Sequence, residues 1–229
     1  MKTITKTLTS ALLASMALAA AGAYADTSTA TTDKPVAEPG WVVVQEDWFY
    51  PLRLESAEAL NNARYLYRRD NERAAADEIR KAASWLTYAS SHALDHTKQA
   101  LMSARTDLLT LAEDLDTGKL ADAARLDTAL SHASSALAEW HYYRAREEFG
   151  KSDAIDAARD LEAAATNLEN AAASAHFQYG PDTITIFDEV YRDGKLVSQD
   201  RKIDNDMLGK HLDGIQKAVE TMADTLKAS

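Results

Sequence analysis

The chain has no cysteine, only four prolines and eight glycines, and fewer cationic than anionic side chains. Each shortage excludes something. Without cysteine there is no disulfide, no thiolate ligand or nucleophile, and no lipidated N-terminal cysteine, so the core alone must stabilise the fold. The scarce glycines form no phosphate loop of the G-x-x-x-x-G-K-[ST] type, no G-x-G-x-x-G turn and no G-x-S-x-G elbow. With 25 Lys and Arg against 36 Asp and Glu, the net charge is −11 at pH 7. That balance argues against nucleic acid and anionic lipid as partners, since both select basic patches.

What is present begins with a targeting pattern. Lys2 and Lys6 precede an apolar run from Leu8 to Ala23, followed by Ala23-Tyr24-Ala25. A basic start, a short apolar core and an A-x-A exit identify residues 1–25 as a cleavable signal peptide, since the run is short for a bilayer span. Removing it takes away Lys2 and Lys6 and leaves a net charge of −13. The expected location is periplasmic or secreted, with no membrane insertion after cleavage. Residues 26–40 (DTSTATTDKPVAEPG) are rich in Thr, Pro and acids and read as a flexible linker.

Residues 41–229 read as one mainly α domain, an antiparallel helical bundle of long helices with a small β-hairpin appendage. Trp41–Trp48 suggests a short strand. A first helix is expected over 56–69. Glu72 to Asp116 contains neither Gly nor Pro, and Ile79, Ala82, Leu86, Ala89, Ala93, Ala100, Ala104, Leu108, Leu111 and Leu115 form one stripe at helical spacing. Unbroken, that helix would be about 65 Å long, and the sequence leaves open whether it kinks near Ser90-Ser91. Gly118 ends it, a third helix follows over 120–149, and a fourth over 154–177. Thr183–Tyr191 and Lys195–Lys202 flank Asp193-Gly194, a hairpin signal placing a β-hairpin at about 183–202. A last amphipathic helix covers 206–227. Residues 79–89 echo residues 161–171 at a constant offset of 82, which either a duplicated helical hairpin or the general likeness of Ala/Leu helices explains.

Histidine carries the one specific chemical proposal. His92 and His96 are four apart on one helical side. Folding helices two and three into a hairpin about Thr117 brings His141 to their level, with Asp160 and Glu162 of the next helix nearby. Such a set suits Zn(II) or Cu(II), with His92, His96 and His141 as ligands and Asp160 or Glu162 as the fourth. The competing expectation is ordinary: His92 leans towards solvent, and His141 is a hydrogen-bonded core residue. Asp204-Asn205-Asp206 resembles the opening of a calcium loop, but Leu208 and Ile215 stand where oxygen ligands are required, so it reads as a helix cap. Trp140-His141-Tyr142-Tyr143, with Trp85 and Tyr88, reads as packing rather than a haem pocket, there being no C-x-x-C-H. No pair of carboxylates is marked out for acid/base work, so no enzyme is expected.

Leu60-Asn-Asn-Ala63-Arg64-Tyr65-Leu66-Tyr67, a polar turn, and then Ala75-Ala76-Asp-Glu-Ile79-Arg-Lys-Ala82-Ala83-Ser-Trp-Leu86 resemble the YfdX family of exported bacterial proteins. The resemblance covers about 30 residues and the general layout. It implies a non-enzymatic periplasmic factor associated with acid, heat or protein-folding stress, and no catalytic residue. Client or partner proteins, or a second copy of the chain, are then the expected partners, with a metal-binding helical protein as the alternative.

Overall fold

A computed structural model describes residues 51–119, 122–199 and 201–228, all of them in a single compact unit. The signal peptide, linker and strand expected over residues 1–25, 26–40 and 41–48 lie outside the described residues. A short 3-10 helix, Pro51–Leu54, leads into seven α-helices: α1 (Glu55–Tyr67), α2 (Glu72–Ser91), α3 (Asp95–Asp116), α4 (Ala123–Gly150), α5 (Ala154–Ser174), α6 (Pro181–Val197) and α7 (Asn205–Ala228). The chain is mainly α, as its apolar periodicity requires.

Two expectations are corrected. The Gly- and Pro-free stretch is not one helix but α2 and α3, packed against each other. The break lies where side chains take over the last carbonyls of α2. Ser90 Oγ donates to Thr87 O at 2.9 Å, Ser91 Oγ donates to Tyr88 O at 2.7 Å, and His92 Nδ1 lies 2.9 Å from the same oxygen. These bonds compete with helix continuation. Leu94 is extended (φ −67°, ψ 154°), and α3 restarts at Asp95. Folding back lets Ile79, Leu86 and Ala89 share one core with Leu101, Ala104 and Leu108.

The β-hairpin at 183–202 is also absent. Residues 181–197 form α6, with Pro181 in its first turn, where a missing N–H costs nothing. Its β-branched residues suggested strands, but Phe187, Val190, Gly194 and Val197 recur at threes and fours and bury one helical side. Asp193-Gly194 makes no turn. Gly194 sits mid-helix, its missing side chain leaving room for the Glu162 carboxylate of α5.

The apolar residues form two clusters, one from α1, α2, α3 and the first part of α4, the other from the rest of α4 with α5, α6 and α7. The second repeats the first 82 residues later. Asp70 and Ser152 are left-handed (φ 56° and 65°), and Asn71 and Asp153 follow as N-caps, accepting from Ala74 N and Asp156 N. Asn71 N donates to Leu66 O at 3.0 Å, and Asp153 N donates to Glu148 O at 2.9 Å. At the next turn Lys119 N donates to Asp114 O and Arg201 N donates to Leu196 O, while Asp122 and Asp204 cap α4 and α7 through Ala124 N and Asp206 N. Buried Leu126, Leu130, Ala133 and Trp140 of α4 answer to buried Leu208, Leu212, Ile215 and Met222 of α7. Every helix pair in contact within α1–α4 has its counterpart in contact within α4–α7. The echo between 79–89 and 161–171 is therefore one part of a structural repeat, and α4 belongs to both halves.

Equivalent core positions should cost alike. Leu86 and Leu168 are both fully buried. Leu86→Ala and Leu168→Ala are each expected to lower the unfolding free energy by about 2–5 kcal/mol, measured by urea denaturation. A loss below about 1 kcal/mol at either would contradict the shared core role.

Candidate functional site

The break at residues 92–94 decides where the histidines go. His92 is an exposed C-cap, with Nδ1 2.8 Å from Ser91 Oγ and its ring 4.4 Å from that of Tyr88. His96, in the first turn of α3, meets Tyr143 of α4 edge-on at 4.2 Å. It also lies near Glu139, whose carboxyl burial pushes above its ordinary range while His96 draws it back. Counting residues about the turn near Thr117 thus puts His96 opposite the correct stretch of α4. The rotation differs, because His141 faces α5.

His141 is buried, its Nδ1 2.8 Å from Asp160 Oδ1. Asp160 is fully buried, and its Oδ2 accepts from Arg144 Nε at 3.2 Å, with Arg53 Nη1 3.9 Å away. Arg53 also reaches Asp156 at 3.4 Å, and Arg159 joins Asp156 at 3.1 Å. Residues from the opening 3-10 helix, α4 and α5 thereby share one charge network. Burial lowers the His141 pKa, against the pull of Asp160. Burial alone would raise that of Asp160, but His141, Arg53 and Arg144 together hold it below the ordinary carboxylate value.

Asp160 therefore does meet His141, as expected, but in the company of arginines rather than of His92 and His96. Glu162 lies on another side of α5, over Gly194. Among the described residues, no group of three or more His, Asp and Glu is arranged to hold a metal ion. The expected set of His92, His96 and His141 with Asp160 or Glu162 is distributed over separate contacts.

A second cluster forms around His211, which is outside the expected metal set. His211 of α7 has Nδ1 2.8 Å from Asp193 Oδ2 and Nε2 3.2 Å from Glu189 Oε2, both carboxylates belonging to α6. The hydrogen bond to Asp193 raises the His211 pKa, opposed by burial and assisted by Glu189. A signal was available: Glu189 and Asp193 are four apart, and as a helix they share a side. The hairpin reading of Asp193-Gly194 hid it. His176 is exposed, with Nε2 3.2 Å from Asp127 Oδ2; Asp127 Oδ1 accepts from Arg64 Nε at 3.0 Å. His132 of α4 is exposed, beside a groove of about 310 Å³ lined also by Asp107 and Arg125.

The His141 pair has a definite pH sign. Because its folded pKa is lowered, its contribution is present above the unfolded value of about 6.5 and is lost as pH falls. The stability advantage of the wild type over His141→Asn should shrink between pH 7 and pH 5 in urea titrations; an advantage that grows on acidification would reverse the assignment. Removing the carboxylate with Asp160→Ala leaves buried cations uncompensated and should cost about 3–5 kcal/mol at pH 7. No family model, curated protein or solved structure matches this chain.

Proposed function

We propose that this protein is a non-enzymatic periplasmic factor that acts by binding other proteins, holding clients under acid, heat or folding stress. The helices of its two halves pack as an antiparallel bundle in this reading. The observation that carries it is apolar exposure on an otherwise acidic molecule. Leu94, Met102 and Leu109 of the α3 segment, and Ile184 of α6, are each 38–51 % exposed or just above, at 51 %, 52 %, 38 % and 50 %. Met102 and Ile184 occupy equivalent positions of the two halves, so that position is apolar and exposed in both. Exposed apolar groups of this kind favour partner contacts, while a net charge far from zero keeps the protein soluble as it holds them.

The signal-like N-terminus and the resemblance of residues 60–86 to the YfdX family support the same reading from the sequence. No helix among the described residues is long and apolar enough to cross a membrane.

The test is suppression of client aggregation. The purified protein, at equimolar ratio to a client unfolded by heat or acid, should reduce light scattering at least twofold. The triple variant Met102→Glu, Leu109→Glu, Ile184→Glu should lose most of that effect, since every substitution is at an exposed position and leaves the cores intact. No suppression by the wild type, or full suppression by the triple variant, would overturn the reading.

A further inference from the structure

With both of its carboxylates ionised, the His211 cluster has a geometry that only the protonated ring satisfies. Its ring is buried between two carboxylates, with Asp193 at Nδ1 and Glu189 at Nε2. A neutral imidazole has one N–H and one lone pair, so it can serve one carboxylate while presenting a lone pair to the other. The imidazolium donates to both. Asp193 and Glu189 come from α6, and His211 from α7, so this bond set joins the two helices across a buried contact.

The other half of the molecule shows that the fold does not need charge here. Leu111 stands 82 residues before Asp193, Ala129 before His211 and Asp107 before Glu189. Leu111 is buried and Ala129 packs half-buried against the same core. An apolar contact does the joining in the first half, and a charged one in the second. What the exchange adds is dependence on a proton.

The neighbouring groups leave that dependence to Asp193 and Glu189. The charges acting on His211 are those of Asp193 and Glu189. From α5, the Glu162 carboxylate lies over Gly194, the residue that follows Asp193. From α4, Tyr142 reaches α7 through a neutral bond, its hydroxyl donating to Gln216 at 2.9 Å. On α7 itself, Lys210 is exposed, with Nζ 3.9 Å from Met207 Sδ.

We propose that His211, Asp193 and Glu189 form a proton-operated latch, in which the imidazolium fastens α6 to α7 and loss of its proton loosens α6. The direction follows from the raised pKa of His211. The latch is fully closed below the unfolded value of about 6.5 and opens as pH rises through the higher folded value. It is therefore closed in an acidic medium, opposite in sign to the His141 pair. The latch does not depend on client binding, and its readout involves no client.

Hydrogen exchange tests it. In the full chain, protection of the α6 amides, corrected for the intrinsic pH dependence of exchange, should fall about tenfold or more between pH 6.0 and pH 8.5. That corresponds to about 1.4 kcal/mol. The α2 and α3 amides serve as the control and should change less than twofold. The double variant Asp193→Leu, His211→Ala installs the pair found in the first half, and its α6 protection should be independent of pH over the same range. Unchanged α6 protection in the wild type, or an equal loss in the double variant, would overturn the latch. A measurement on the wild type alone provides the second arm. By NMR the His211 ring should titrate above 6.5, and a midpoint at or below that value would overturn the latch even if the double variant fails to fold.

Discussion

One helix must satisfy two cores. Leu126, Leu130, Ala133, Leu137 and Trp140 of α4 belong to the first cluster, and Ala138, Tyr142 and Ala145 to the second. The two stripes leave different sides of the helix, since Leu137 and Ala138 are about 100° apart around its axis. Between Ser131 and Tyr142, α4 is therefore buried on nearly every side. Its buried polar residues there are Ser131, Ser134 and His141, while exposed His132 and half-buried Ser135 and Glu139 share the one side left open. The remaining helices are arranged by which stripe of α4 they cover.

The repeat explains how such a helix can arise. If a unit of four helices ends on the helix that begins the next unit, that helix inherits the burial pattern of both positions. Its first part carries the pattern of α7, and its last part that of α1. The turns support the same view more firmly than the helices do, because Ala and Leu recur in any helical core. A left-handed residue immediately followed by an N-cap is a costly local choice for a non-glycine residue. Finding it at Asp70-Asn71 and again at Ser152-Asp153 requires the same chain path twice. Small core residues fit this plan, since Ala59, Ala63, Ala75, Ala76, Ala157, Ala158 and Ala164 let the helices approach closely.

The helical class, the turns near Gly118 and Lys151 and the last helix were legible in the sequence, because periodicity and capping residues are local signals. The break after Ser91 was legible only in place: Ser90-Ser91 marked it, but continuity was left open. Its cause is three side chains competing for two carbonyls, together with a core that only the folded-back α3 can complete. The hairpin expectation failed for a related reason. Asp-Gly between β-branched runs favours a turn in isolation, but burial of Phe187, Val190 and Val197 on one helical side outweighs that preference. For the site, residue counting placed His96 on the correct stretch of α4 and paired His141 with Asp160, since level depends only on rise per residue. Facing depends on rotation about each axis, and the 92–94 break resets it, so convergence of the histidines could not be read in advance.

The positions where the two halves differ are more informative than those where they agree. Shared positions are Leu, Ala, N-cap and turn residues, all accounted for by packing and backbone geometry. Buried charge is distributed unequally. Ala59 of α1 becomes His141 in α4, and Leu111 with Ala129 becomes Asp193 with His211, while the helix contacts around them are kept. Buried ion pairs are poor sources of stability compared with apolar residues of similar volume, because desolvation offsets most of their attraction. Their presence in one half, at places where the other manages with Leu and Ala, therefore needs a cause other than stability. Protonation supplies one. Burial, helped by Arg144 and Arg53, lowers the His141 pKa against the pull of Asp160, whereas the bonds to Asp193 and Glu189 raise that of His211. The stability contributions of the two His–Asp pairs therefore respond to acidification with opposite sign. A fold held only by its apolar contacts would have no such response.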